Sequence, residues 1–189
     1  MRLSLLLPAL VLCTGMASVA PAMADAGGGP AVQATPSGCP VEAWGSLPKT
    51  APGLSPGHID RVRVATGPCA DRIVFDITGP TPGFNVRYVS QITADGSGAV
   101  IPVAGGARLL IVVNTNGHDI NTGRVTLQDV PRINSRFRTF RALVLAGDFE
   151  GLTSIGLGVR ARLPFRAFTL PGPGKNHNRV VVDVSHTWR

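Results

Sequence analysis

Asp71-Arg-Ile-Val-Phe-Asp-Ile-Thr78 alternates in character: Ile73, Phe75 and Ile77 fall on one face, Arg72 and Asp76 on the other. A period of two belongs to a half-buried β-strand, because successive side chains leave an extended backbone in opposite directions. Val62 and Val64 repeat the pattern upstream. Downstream, Phe84, Val86 and Tyr88 alternate with Asn85 and Arg87 after the turn Thr78-Gly-Pro-Thr-Pro-Gly83, whose prolines and glycines suit a chain reversal. Leu109 to Val113 is a continuous apolar run, as expected of a strand covered on both faces in the middle of a sandwich. Further strands are expected at 142–148, 153–160, 165–170 and 179–185. The pattern predicts an all-β chain, a β-sandwich of about eight strands with at most one short helix. That helix would run from Asn134 to Leu143, with Asn134 as N-cap and Phe137, Phe140 and Val144 at helical spacing.

Two strand segments echo each other, Arg72-Ile-Val-Phe-Asp-Ile77 and Arg179-Val-Val-Val-Asp-Val184. They are expected to pack as equivalent members of the sandwich, with Asp76 and Asp183 facing outward or to the rim. In 153–160, Ile155, Leu157 and Val159 share one face and Gly156 and Gly158 the other. Paired glycines leave room for a second backbone or for a ligand, and tight packing is the simpler reading.

The amino terminus reads as a secretory signal peptide over residues 1–24. Arg2 is the charged start, Leu3 to Leu12 the apolar run, and Ala22-Met-Ala24 a small-x-small site with cleavage between Ala24 and Asp25. The apolar stretch is too short and interrupted for a membrane span, so none is expected in the mature chain. Cys13 follows Leu12, where a lipid-attachment signal takes a small residue, so lipidation there is the weaker alternative. Residues 25–38, rich in Gly, Pro and Ala, read as a flexible linker, and 39–189 as a single domain. Pro48, Pro52 and Pro56 with Gly53 and Gly57 suggest an irregular strap from Lys49 to Gly57. Once Cys13 is removed, Cys39 and Cys69 remain in a compartment that permits disulfides, and they are expected to pair. There is no Cys-x-x-Cys spacing and no histidine cluster, so no metal site and no cofactor are assigned.

The formal charge of +7 loses one unit with Arg2. A basic surface can meet an anionic polymer, a lipid headgroup or nucleic acid, and charge alone does not choose. Arg136-Phe-Arg138-Thr-Phe140-Arg141 interleaves basic and aromatic residues as single-strand binders do. Its phenylalanines are needed in the core, however, and export argues against nucleic acid. Arg132, Arg136, Arg138, Arg141, Arg160, Arg162 and Arg166 lie within 35 residues whose only acids are Asp148 and Glu150; they form the candidate binding face, for an anionic glycan or teichoic-type polymer.

No catalytic residue is assigned. Gly156-Leu-Gly158-Val-Arg-Ala161 resembles a dinucleotide fingerprint but is followed by Pro164 and a strand, not a helix. Asp119-Ile-Asn121-Thr-Gly123 misplaces the glycine of a calcium loop, and Val130 stands where its bidentate glutamate belongs. Ser97, in Asp95-Gly-Ser-Gly98, lacks a nucleophile elbow, and His58, His118, His177 and His186 have no partner motif. Asp148 and Glu150 could share a face as the carboxylates of a small envelope hydrolase, although Gly147 and Gly151 around them suit a turn.

Taken in order, Cys39, Trp44-Gly-Ser-Leu47, Cys69-Ala-Asp-Arg-Ile-Val-Phe-Asp76, Pro82-Gly-Phe-Asn-Val-Arg-Tyr-Val89, Asp95-Gly-Ser-Gly98, Gly106-Ala-Arg-Leu109, Ala146-Gly-Asp-Phe-Glu-Gly151, Gly156-Leu-Gly158 and Val181-Val-Asp-Val-Ser-His186 resemble the AMIN-like domain of exported actinobacterial proteins. That family is related to the AMIN module of cell-wall amidases, and the resemblance spans residues 39–188. It implies a β-sandwich and a non-catalytic, envelope-associated role, with peptidoglycan or another wall polymer as partner. It carries no ligand residues over. Besides the hydrolase, the remaining alternative is an assembly partner of another envelope protein, which would display an exposed apolar patch.

Overall fold

The computed structural model describes Cys39 and residues 44–188. The expected signal peptide, its cleavage site at Ala24 and Asp25, Cys13 and the 25–38 linker lie outside the described residues. Eleven strands follow one another: β1 (Lys49–Ala51), β2 (His58–Thr66), β3 (Ala70–Thr78), β4 (Phe84–Val89), β5 (Ile92–Thr93), β6 (Val100–Ile101), β7 (Ala107–Val113), β8 (Phe140–Phe149), β9 (Leu152–Val159), β10 (Phe165–Pro171) and β11 (His177–Ser185). They form a five-stranded sheet ordered β1-β4-β7-β9-β8, a four-stranded sheet ordered β10-β11-β3-β2 and a small pair β5-β6. Every pairing among these strands is antiparallel.

The alternating residues make the core. From the four-stranded sheet come Val62, Ile73, Phe75, Ile77, Val180, Val182 and Val184; from the five-stranded sheet come Val86, Leu109, Ile111, Val113, Ile155, Leu157 and Val159. Each fully buried large side chain contributes about 1.5–3 kcal/mol relative to leaving it in water. The apolar run in β7 has a second cause. Leu110 points away from this core into a smaller cluster of Ile92, Val103 and Ala146, so β7 is covered on both faces. The two glycines of β9 serve the same packing. A Cβ on Gly156 would stand 2.8 Å from Ile92 Cγ2, and one on Gly158 would collide with the carbonyl oxygen of Ala104. It is therefore a crossing backbone, not a ligand, that faces Gly158.

Two expectations need correction. The strap from Lys49 contains β1, whose three residues pair with β4. The helix expected from Asn134 to Leu143 is absent, and no helix occurs among the described residues. Asn134 caps only a turn, its Oδ1 accepting from Arg136 N at 3.2 Å and its carbonyl from Phe137 N at 3.3 Å. The next donors are diverted: Thr139 N and Phe140 N donate to the carboxylate of Asp71 at 2.6 and 3.1 Å. The carbonyls of Phe137, Arg138 and Phe140 accept instead from the guanidinium of Arg141. Phe137 and Phe140, three apart, do meet as a helix would have them meet, with rings stacked 5.8 Å apart, but Phe140 then enters β8.

The sequence echo is a cross-strand pairing. β3 and β11 are neighbours in a register that sets Arg72 opposite Asp183 and Asp76 opposite Arg179. Only the first pair closes. Arg179 turns to the carbonyl of Pro171, and Asp76 binds Arg63 and Arg61 from β2.

Candidate ligand-binding surface

The outer face of the four-stranded sheet carries most of the charged side chains of β2, β3, β10 and β11, because the inner positions are taken by the core. Its centre is Asp183. Although the residue faces outward, only 2% of it is exposed, since two arginines close over it. Arg72 reaches it with both Nε and Nη2, at 2.6 and 2.8 Å, and Arg166 with Nε at 3.0 Å. The hydrogen bonds to Asp183 raise the pKa of Arg72 against the opposing effect of burial. Aromatic rings flank these guanidinium groups: that of Arg166 lies 4.5 Å from the ring centre of Trp44 and 5.1 Å from that of Phe168, and that of Arg72 lies 5.9 Å from Phe168. Flanking rings attract the cation and leave its in-plane edge for oxygen acceptors.

Trp44, Arg72, Arg166 and Asp183 wall a cavity of about 450 Å³ whose other side is the β2–β3 turn, Thr66 to Ala70. The Cys39–Cys69 disulfide, with Cα atoms 5.3 Å apart, bonds Cys39 to that turn. Asp71 anchors the same turn from below. It is fully buried and in phase with Ile73, Phe75 and Ile77. It accepts from Thr66 Oγ1 at 2.7 Å and from His186 Nε2 at 3.0 Å, besides the two main-chain donors already described. Burial pushes this carboxyl upward, but the hydrogen bonds from Thr66, Thr139, His186 and Phe140 outweigh it and hold the pKa below the ordinary value.

A second cavity, of about 380 Å³, lies at the edge strand β2 and shares Ala65 with the first; Val62, Arg63, Val64 and Val74 line it from the sheet, and Pro131, Arg132 and Arg136 from the adjoining strap. Its only charged lining residues are arginines. Arg63 is engaged with Asp76, at 2.5 and 2.6 Å. Arg132 and Arg136 meet no carboxylate among the described residues, and Arg136 lies 5.1 Å over the ring of Phe137.

The other arginines of the candidate face have different surroundings. Arg138 is exposed on the same strap. Arg141 binds the strap's carbonyls, Arg160 binds the carbonyl of His186, and Arg162 lies 4.9 Å over Tyr88 and donates to Ser46. Arg166 belongs to the Asp183 cluster. Asp148 and Glu150 are also separated in role. Asp148 accepts from Gly117 N at 2.8 Å and pairs with His118 Nδ1 at 2.6 Å, fixing the loop after β7. Glu150 is exposed in the β8–β9 hairpin turn with φ of 51°. Neither lines either of these two cavities. Beside that turn Leu54, Phe149 and Leu152 are 67%, 58% and 38% exposed.

Sequence reasoning gave no site role to Trp44, Arg72, Asp183 or the buried Asp71. The signals were the Arg–Asp echo, Trp44 five residues after a paired cysteine, and an aspartate in phase with core positions.

The model of the AMIN-like domain family matches residues 57–186. No curated protein and no solved structure gives a significant match. The matched span includes the second cavity and Arg72, Arg166 and Asp183 of the first; Cys39 and Trp44 precede it.

Proposed function

From the premise that this chain belongs to the AMIN-like domain family, we propose that it is an exported, non-catalytic module that holds to the cell envelope by binding peptidoglycan or an anionic wall polymer. Modules of this family are cell-wall-related and typically non-catalytic. The observation that carries the finer reading is the cavity at β2, lined by Arg63, Arg132 and Arg136 with no acid among its lining residues. Arginine presents a rigid fork of donors that matches carboxylate and phosphate oxygens. Because these side chains lie near solvent, their attraction is screened over about 10 Å at 0.1 M salt, so binding should weaken as salt rises. Arg138 extends the basic surface along the strap. Export is supported by the leader-like first 24 residues and by the disulfide, which suits an oxidising compartment.

The test is cosedimentation of the purified protein with cell-wall sacculi at low salt. Retention in the pellet, with release by added salt, is expected; protein left in the supernatant would refute the reading. Mass spectrometry of the same sample fixes the mature N-terminus, with Asp25 expected first and a lipidated Cys13 contradicting it.

A second reading rests on the exposed cluster Leu54, Phe149 and Leu152 at the opposite end of the sandwich. Apolar side chains grouped at a hairpin tip favour contact with another envelope protein. A single charge placed at Phe149 should abolish such a contact and leave sacculus binding unchanged.

A further inference from the structure

We propose that the cavity on the outer face of the four-stranded sheet and the cavity at its β2 edge are subsites of one groove that takes an extended anionic glycan, at least two sugar units long. The proposal rests on the wall-binding reading for its physiological source and deepens it by locating the site and defining its ligand. Ala65 lines both cavities, so they adjoin across the edge strand β2. Their volumes of about 450 and 380 Å³ fall at the lower end of the roughly 300–1,000 Å³ of ligand sites, which suits a sugar unit or two apiece.

The subsites differ in chemistry. The first offers an aromatic wall, Trp44, beside small apolar residues Ala65, Gly67, Pro68 and Ala70. Such a surface covers the apolar face of a sugar ring. The Nε and Nη2 atoms of Arg72 are committed to Asp183, and the Nη1 donors of its five-donor guanidinium remain to meet ring hydroxyls. The second offers Arg132 and Arg136, with Val62, Val64 and Val74 beneath them and no lining acid. That subsite takes the oxyanion, carboxylate or phosphate, carried by the neighbouring unit. The aromatic wall, Trp44, stands ahead of the family-matched span, five residues after Cys39 of the Cys39–Cys69 bridge. The second subsite lies wholly inside that span. Of the first subsite's lining only Trp44 precedes the matched span; its other lining residues lie inside that span.

The chain has two tryptophans, so Trp188→Phe leaves Trp44 as the only indole reporter. Fluorescence titrations at low salt use tetragalacturonate, maltotetraose phosphate ester, neutral chitotetraose and monomeric galacturonate. The two charged tetramers distinguish a carboxylate from a phosphate ligand, and saturation by either supports the groove. Chitotetraose and the monomer should each bind at least about tenfold more weakly, the cost of losing charge-assisted bonds or one subsite. Arg132→Ser with Arg136→Ser should remove that advantage for the charged tetramer and leave chitotetraose unchanged. Trp44→Ala, followed by calorimetry, should weaken charged and neutral tetramers alike by about tenfold, whereas a site elsewhere would not respond. A Trp44 signal indifferent to every oligosaccharide, or charged binding that survives the double arginine replacement, overturns the proposal. Its failure differs from failure of the wall-binding reading: sacculi that retain Trp44→Ala as well as wild type exclude the groove alone, whereas titratable tetramers with no retention on sacculi exclude the wall alone.

Discussion

Replacing Asp71 by alanine is expected to cost about 3–5 kcal/mol, a large share of the stability of a domain this size. The carboxylate accepts four hydrogen bonds, from Thr66 Oγ1, His186 Nε2, Thr139 N and Phe140 N. Thr139 and Phe140 are buried, so alanine leaves two main-chain donors without water, at about 1–3 kcal/mol each. Loss of the Thr66 and His186 bonds adds to that without being strictly additive. Asparagine keeps one acceptor oxygen for the main-chain pair and should cost less, about 1–2 kcal/mol. Urea unfolding at pH 7, followed by far-ultraviolet circular dichroism, measures both. An unchanged slope with a shifted midpoint identifies a stability change. Acid pH supplies a second signature. The folded pKa is depressed, so this stabilisation is present above the unfolded value of about 3.9 and is lost as pH falls through the native one. The gap between wild type and Asp71→Asn should therefore close below about pH 4. An Asp71→Ala penalty under about 1 kcal/mol, or a gap that does not change with pH, refutes the reasoning.

Tyr88 is the only tyrosine, and burial pushes its pKa up to about 12, against the opposing effects of its bond to Leu163 and of Arg162. Native protein should titrate at 295 nm near that value, and its stability should fall as pH rises from the unfolded value of about 10 through the native one; a native midpoint near 10 contradicts this. Gly158→Ala should lose about 2–4 kcal/mol in the same urea assay, because the new methyl meets the carbonyl of Ala104 and not a side chain that could move. Replacing Cys39 and Cys69 by serine should cost about 3–4 kcal/mol on the chain-entropy model for a separation of 30 residues, and thiol labelling of denatured, unreduced mature protein should find neither cysteine; two labelled thiols would disprove the bridge.

The strands that alternation revealed are the ones whose two faces meet different media. β3 separates core from charge so cleanly that its period suffices, and β7 reads as a continuous run because Leu110 enters a second cluster. β1, β5 and β6 have only two or three residues, too few to establish a period. The spacing of Phe137 and Phe140 suggested a helix because a buried turn can satisfy an i,i+3 contact equally well. What settled the segment was Asp71, 68 residues away in sequence. The basic run was legible as composition but not as geometry. Arg141, Arg160 and Arg162 bind main-chain carbonyls, whereas Arg132 and Arg136 line a cavity, and neighbours along the chain do not distinguish these roles. Trp44 had no legible site role because its place depends on Arg166, a distant contact.

If this AMIN-like domain holds wall polymer, the arginines lining the cavity at its β2 edge carry the binding. The direct measurement is a binding isotherm of the purified protein on cell-wall sacculi at rising salt, with Arg132→Ser/Arg136→Ser alongside and the supernatant assayed for released fragments. Saturable, salt-sensitive binding that weakens about tenfold in the double variant, with no fragments released, is the predicted result. Equal binding by wild type and variant, or steady release of soluble wall fragments, would contradict it.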